Sequence, residues 1–513
     1  MKLRLLKISC LLLCLTMLTG CWQAEPDLPG SLDLMTEEEP APTVQEDLIL
    51  PSAFRLSWFP SQTLDPITCP DGSQQVVASL LYEGLFALDE QLKPQPLLCT
   101  GITAGEDPLT CRLQLREGVL FSDGSPLTAQ DVAQSLKRAA SSDRYGARFR
   151  RIASVAVRDE QVVITLSSEN TALSALLDIP IVKAGTENDP VPVGTGPYVF
   201  VSGPDGAQLE KNTGWWQKKS LPVDTVELLS AADRDTMLYQ FTSRDSQLIT
   251  ADLTGTAPIS VTGSIGFHDA DTTILQYVGF NTTRAPFNNA ALRTALEKGF
   301  SREFVVSATL SGHGQATRFP ISPVTALYPH QLDTAFSYDA FATAMTEAGW
   351  NSGTSQTVSL LVNRENNFKR SAAEHIAASL SAFDLKVQVV ALPWEEYIAA
   401  LSTGDFDLYY GEVKLTADWD LAPLLASGGT LNYGGWSNGR TDQLLAALRT
   451  AAASDRAAAA EELCSHLLQT APILPVCFKS TTVLVQSDVV GALHPTAADP
   501  FHNISACTIH LQK

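Results

Sequence analysis

Several groupings in the chain hold residue types able to do chemistry. Gly435-Trp436-Ser437-Asn438-Gly439 has the G-x-S-x-G spacing of a nucleophile elbow, which needs a strand before the serine and a helix after it. A helix is expected there, but Ser427 to Gly434 is turn chemistry, so an extracytoplasmic serine hydrolase using Ser437 stands as the alternative to an ordinary loop. Asp418 and Asp420 flank Trp419, a spacing that captures an ammonium group if one carboxylate is desolvated. On the residues alone, two solvated loop acids are the simpler reading. Gly194-Thr195-Gly196-Pro197 lacks the third glycine of a dinucleotide fingerprint, and its proline removes an N–H that a phosphate nest would use, so it reads as a turn. The eight histidines are scattered, with His313 between glycines and His330 after a proline, and no CxxC or Cys/His spacing occurs. No metal site and no cofactor is expected. Trp58, Trp215, Trp216, Trp394, Trp419 and Trp436 lie near turns or element ends where they could line a cleft, with core packing the competing reading, preferred for Trp215 and Trp216.

The elements that must position these residues alternate between strand and helix. Ala53 to Phe59 reads as a strand, Gln74 to Leu85 as a helix, and 110 to 116 with 151 to 166 as strand pairs. Thr128-Ala129-Gln130-Asp131 is a helix start, because hydroxyl and carboxylate can both satisfy free N–H groups there. Ala372, Ala373, Ile376, Ala377, Leu380 and Phe383 mark one helix face. Val387 to Leu392 follows as a strand, Trp394 to Leu401 as a helix and Phe406 to Tyr410 as a strand, a βαβ rhythm. Two more helices fall between Thr441 and Leu468. The fold class is mixed α/β.

The 513 residues allow about three domains of ordinary size. With 45% apolar and 18% charged residues the body is globular, and 35 Lys plus Arg against 56 Asp plus Glu give a net charge of −21 that repels phosphate backbones. Nucleic acid is therefore excluded as a partner. Lys2, Arg4 and Lys7 precede an apolar run from Ile8 to Leu18, the order of an export signal and too short for a span of about 20 residues. The run ends in Leu18-Thr19-Gly20-Cys21, which resembles the bacterial lipobox and implies residues 1–20 as signal and Cys21 as the lipidated N-terminus. Residues 21–48 are acidic, free of Lys and Arg, and carry four prolines, the composition of an extended tether. Cys69, Cys99, Cys111, Cys464, Cys477 and Cys507 remain. Cys99 with Cys111 across a hairpin, or Cys477 with Cys507, are candidate disulfides against a background of buried free thiols.

Blocks spread along residues 50 to 510 resemble extracellular solute-binding protein family 5, the peptide, dipeptide and nickel receptors of ABC importers. They are Thr63-Leu64-Asp65-Pro66, Tyr82-Glu83-Gly84-Leu85, the run from Leu115 to Val132, Gly194 to Tyr198, Phe280-Asn281-Thr282 with Pro286-Phe287, Leu292-Arg293, and Gly404 to Leu408. The resemblance implies a two-lobed, periplasmic-binding-protein-like (type II) clamp. Lobe one would be 49–274 plus 479–513 with an extra subdomain near 76–188, and lobe two 275–478. The chain would cross near Tyr277 to Thr282 and near Leu474 to Phe478. It implies a monomeric, non-enzymatic lipoprotein on the outer face of the bacterial cytoplasmic membrane, closing on a peptide or similar small solute and handing it to an ABC permease and ATPase. A peptide sensor or chaperone on the same fold is the other alternative. Ala417-Asp418-Trp419 falls on the segment whose Asp pairs with a peptide α-amino group in relatives, so the resemblance makes Asp418 the amine ligand. Glu412-Val413-Lys414 replaces the usual Gly-Trp before it, and Leu421-Ala422-Pro423 the usual Asp-Pro after it. Trp419, Trp394, Trp436 and Trp58 complete the candidate ligand contacts.

Overall fold

Two strands organise the chain. Ile265–Phe280 and Ile473–Gln486 pair antiparallel, and successive stretches of this one ribbon serve two different cores. Ile265 to Asp271 lies against Gln486 to Ser480, and Leu275 to Gly279 against Phe478 to Ile473, with the register slipping between Asp271 and Leu275. The computed structural model describes residues 49–512 other than 71, 106, 205 and 352; the expected signal, Cys21 and tether lie outside them. Ile49–Lys513 holds together as one compact unit, and no helix among the described residues is long and apolar enough to cross a membrane.

At the far end of the ribbon the sheet runs in the order Leu248–Ala251, Ile473–Gln486, Ile265–Phe280, Leu408–Lys414, Gln356–Asn363, Leu385–Leu392, with Gly314–Ala316 added beside Ile473–Gln486. Gln356–Asn363 and Leu385–Leu392 are parallel and joined by the helix Asn367–Leu380. The expected strand, helix and strand from 387 to 410 form as Leu385–Leu392, Trp394–Thr403 and Leu408–Lys414, but Gln356–Asn363, a strand not read from the sequence, lies between the two strands and pairs with both. Strand alternation sends Val278, Phe280, Leu408 and Tyr410 to a cluster with Ile376 and Leu380 of the helix Asn367–Leu380. Their neighbours Tyr277 and Tyr409 go to the opposite cluster, with Leu444, Leu448 and Leu463 of the helices Gly439–Thr450 and Arg456–Thr470. Helices cover both faces, which is why these strands read as almost unbroken apolar runs. Glycine sits directly opposite each buried tyrosine: Tyr277 pairs with Gly411 and Gly279 with Tyr409. A Cβ on Gly279 would lie 2.2 Å from the Tyr409 ring, so each ring occupies the space a side chain would take.

The other half has a four-stranded sheet in the order Arg55–Trp58, Thr225–Ser230, Gly206–Lys211, Tyr198–Gly203, packed against the helix Ser73–Leu81. A separate antiparallel sheet, Cys99–Ala104, Thr110–Leu115, Gln161–Leu166, Ile152–Arg158, encloses its own core with Val132, Leu136 and Ala139 of the helix Ala129–Ala140. That helix starts with the capping box read in the sequence: Asp131 N–H donates to Thr128 Oγ1 (3.4 Å) and Thr128 N–H to Asp131 Oδ2 (2.8 Å). Cysteine is where the structure departs from expectation. Cys99 lies opposite Leu115 and Cys111 opposite Ala104, so the hairpin does not place the two sulfurs together. Cys477 and Cys507 belong to different cores, and the six cysteines are buried outside any disulfide.

The recurrent motifs turn out to be scaffolding. Glu83, 7% exposed, receives Thr195 Oγ1 (2.8 Å), Trp215 Nε1 (3.1 Å), Trp216 Nε1 (2.7 Å) and Gln217 Nε2 (2.9 Å) on its two oxygens. It thereby ties the Gly194–Pro197 turn to the Trp215-Trp216 loop. Burial raises the Glu83 carboxyl above its usual range, and the four donors oppose that rise. Arg293 donates to the carbonyls of Phe287, Thr470 and Ala471, and Asn281 to those of Gly404 and Phe406. Replacing Glu83 by Gln puts an amide donor among four donors, so Glu83→Gln is expected to destabilise the chain by about 1–3 kcal/mol, read as a lower melting temperature with the far-ultraviolet dichroism unchanged.

Candidate functional site

The segment after strand Leu408–Lys414 is pinned before it turns. Leu415 N–H donates to Thr273 O (2.9 Å) and Thr273 Oγ1 to Leu415 O (2.6 Å), which fixes the segment to the ribbon beside its register slip. Trp419 then adopts a left-handed backbone (φ 58°), costly for a bulky residue, and is held there by its N–H on Thr416 O and by its ring edge-on to Phe478 at 5.7 Å. That conformation places Asp418 and Asp420, 5% exposed and half-buried respectively, toward the sheet of Ile152–Arg158.

Each acid meets a partner from the other half of the chain. Asn170 Nδ2 donates to Asp418 Oδ2 at 2.8 Å. Thr416 Oγ1 (2.5 Å) and Asp420 N–H (3.3 Å) fill Asp418 Oδ1, which leaves Oδ2 one acceptor position. Arg151 grips Asp420 with two nitrogens, Nε at 2.8 Å and Nη2 at 3.3 Å, and sends a third to Ser168 Oγ. Arg456 donates to the Asp418 carbonyl at 2.8 Å. Arg148, ion-paired with Asp178 and stacked at 4.9 Å on Tyr145, completes the surroundings. Burial pulls the Arg148 guanidinium below its usual value while Tyr145 and the Asp418 charge hold it up; Arg456 is shifted down by burial in the same way against Asp418.

The helix Gly439–Thr450 ends at the same place. Its final carbonyls lack intrahelical donors. Thr171 N–H (3.2 Å) and Oγ1 (3.1 Å) donate to Arg449 O, and Thr171 Oγ1 also to Ala451 O (2.7 Å). Arg449 Nε returns a bond to Glu169 O at 3.0 Å. Nearer the ribbon, Glu412 takes Lys369 at 3.2 Å and Gln276 at 2.9 Å, and the buried Lys479 pairs with Asp252 at 2.7 Å. The unusual Glu412 thus anchors charges around the ribbon.

The remaining candidates are dispersed. Trp58 lies in the core of the first sheet, against Phe200, with its buried Nε1 unpartnered. Trp436 lies 5.2 Å from the Arg293 guanidinium and offers Nε1 to Thr441 Oγ1. Trp394 is 54% exposed at the start of the helix Trp394–Thr403, stacked on Tyr397. Only Asp418 and Trp419 share one segment. Asn170, Arg151, Arg148 and Arg449 were not singled out from sequence. The available signal was the cationic run Arg144, Arg148, Arg150 and Arg151 in a strongly acidic chain.

Ser437 is not on an elbow. It lies within the loop 426–438, with no strand before it, its Oγ donates to Ser427 Oγ at 3.2 Å, and the nearby His466 bonds Thr441 instead. Six acid and histidine side chains (Asp89, Glu90, His268, Asp269, Asp271 and His494) line a separate cavity of about 550 Å³.

Residues 93–432 match the family described as bacterial extracellular solute-binding proteins, family 5 Middle. The chain is 26% identical over 465 residues to the glutathione-binding protein GsiB of Salmonella typhi, covering 84% of this chain and 89% of that one. Its fold is similar to the ABC transporter substrate-binding protein CtaP of Listeria monocytogenes (TM-score 0.70, 17% identity, 90% of this chain and 99% of that one). It is also similar to the oligopeptide-binding protein AppA of Bacillus subtilis, solved with a nonapeptide (TM-score 0.60, 19% identity, 90% and 100%). The absence of an elbow around Ser437 leads to one expectation: a fluorophosphonate probe leaves the purified chain unlabelled, and labelling lost in Ser437→Ala would contradict this geometry.

Proposed function

This chain belongs to the bacterial extracellular solute-binding proteins of family 5, and from that premise we propose that it captures an oligopeptide or similar small solute between two lobes and delivers it to an ABC permease. The named relatives bind glutathione and a nonapeptide, both of which present a free ammonium and carboxylates. Lobe one is taken as 49–274 with 479–513, and lobe two as 275–478. Cys21 carries the lipid, residues 21–48 are the tether, and the protein works as a monomer at the outer face of the cytoplasmic membrane.

One observation carries the peptide reading. The Asp418 carboxylate is buried between the lobes yet keeps an acceptor position on Oδ2, where a solute's α-ammonium gains a charge-assisted bond in a desolvated setting. Trp419 sets the backbone that aims it. The free Nε1 of Trp58 is a donor for a solute carbonyl, and Trp394 and Trp436 supply aromatic surface at greater distance. Closure follows from differential affinity: a solute that contacts both lobes favours the form in which both are near.

A tripeptide at 100 times its dissociation constant is expected to raise stability by about 2.7 kcal/mol, seen as a shifted melting curve. Unmoved curves across peptide libraries would count against transport of peptides. Asp418→Asn is expected to cost about 1.5–3 kcal/mol of affinity for peptides with a free amine and little for their N-acetylated forms, measured by calorimetry. Equal losses for both would remove Asp418 from the amine site.

A further inference from the structure

The contacts around Asp418 do more than present a carboxylate, because nearly all of them join distant parts of the chain. Arg151 with Asp420, Asn170 with Asp418, Thr171 with Arg449 and Ala451, and Arg449 with Glu169 all link the sheet-bearing segment 99–171 to residues 418–451. An apolar contact lies on the same side. Leu92, at the turn between Phe86–Leu88 and Pro94–Pro96, is held at φ 57° and is 6% exposed within a cluster otherwise drawn from Leu275 to Phe478. A leucine persists in that backbone region only when its surroundings over-determine it. Away from this segment, Asn366 with Thr254 O, His313 with Asp269 and Lys479 with Glu412 are the comparable links, the last two made by residues on or paired to the ribbon itself, where little leverage exists.

We infer that Arg151 and Asn170 are closure-determining positioning residues: they form a clasp that draws the subdomain, rather than the whole of lobe one, onto the loop Thr416–Leu421. The clasp uses Asp418, the acid that the peptide reading assigns to the solute, together with its neighbour Asp420, so it deepens that reading and rests on its two-lobed clamp. A guest ammonium on Asp418 Oδ2 has the Asn170 amide as its neighbour or its competitor, whereas Asp420 is committed to Arg151 and serves closure alone. Recognition of the amine and the grip between lobes are thereby separated onto neighbouring carboxylates.

Small-angle scattering of the whole purified chain tests this without any ligand. Arg151→Ala combined with Asn170→Ala is expected to lower the closed-to-open ratio by about tenfold or more, the scale of close charge pairs across interfaces, and to enlarge the radius of gyration. Exchanging the charges, Arg151→Asp with Asp420→Arg, should return the smaller radius, which a merely structural loss would not. Scattering of the double alanine variant that superimposes on the unmodified chain overturns the clasp. Should the variants fail to fold, hydrogen exchange on the unmodified chain decides: amides of residues 416–421 and 169–172 are expected to be as protected as those of strand Gln161–Leu166, and exchange at free-loop rates overturns the proposal. A chain that keeps the clasp but binds no peptide defeats the amine reading alone, and the reverse result defeats the clasp alone.

Discussion

The ribbon of Ile265–Phe280 and Ile473–Gln486 is the constraint on which the other features depend. Its two strands are long enough to reach both cores, so the halves of the molecule are tied by paired strands, interrupted only at register shifts, and not by a flexible linker. Relative motion has to be absorbed where that ladder is irregular, and the slip between Asp271 and Leu275 is such a place. Thr272 and Thr273 lie in it and spend their hydroxyls on Lys479 O and Leu415 O. Any bending at this point would move the segment that carries Asp418, because Thr273 and Leu415 tie that segment to the irregular stretch of the ribbon.

Burial of charge around this segment follows a consistent rule. Four guanidinium groups, from Arg148, Arg151, Arg449 and Arg456, lie around Asp178, Asp418 and Asp420, and each carboxylate has a named donor. Buried ion pairs of this kind add little net stability compared with apolar packing, because desolvation offsets much of the attraction. They do impose geometry. An apolar patch here would let the lobes slide, whereas a bidentate Arg151 and a single-point Asn170 admit one docking register. The Glu83 network has the same character within lobe one, fixing two loops with four directional bonds where leucines would fix neither.

Much of this was legible from residue order, and what was not has a physical cause. Capping at Thr128 and Asp131, the strand, helix and strand between 385 and 414, and the helices after Thr441 are local: propensity, period and side-chain bonds within a few residues decide them. Family-wide blocks were visible too, and they hold carbonyls and turns. The partners of Asp418 and Asp420 were invisible because they lie 248 and 269 residues upstream, where no periodicity couples them. The cysteine pairing failed for a related reason. Spacing allows Cys99 and Cys111 to share a hairpin, but the register, shifted by a bulge between Cys99 and Gly101, sets each against another residue. Tryptophan was ambiguous because its indole serves core and cleft equally well. Trp215 and Trp216 spend their N–H groups on Glu83, whereas the Trp58 N–H has no protein acceptor, a difference that only coordinates reveal.

The acidity of the body fits the same picture. The net charge of −21 on the whole chain favours cationic or zwitterionic guests at long range but is screened within about 10 Å at ordinary ionic strength, so it cannot select among them. Selection has to come from short-range geometry, and the loop at 416–421 is the proposed place for it. There a strained Trp419 turns two neighbouring carboxylates out of solvent, one onto Arg151 and one onto Asn170. Strain at Trp419 is affordable because Phe478, on the ribbon itself, supports the ring. The ribbon's register shift, the aromatic prop and the two acids are thus joined through one short segment: Leu415 bonds Thr273, Trp419 rests on Phe478, and Asp418 and Asp420 meet Asn170 and Arg151.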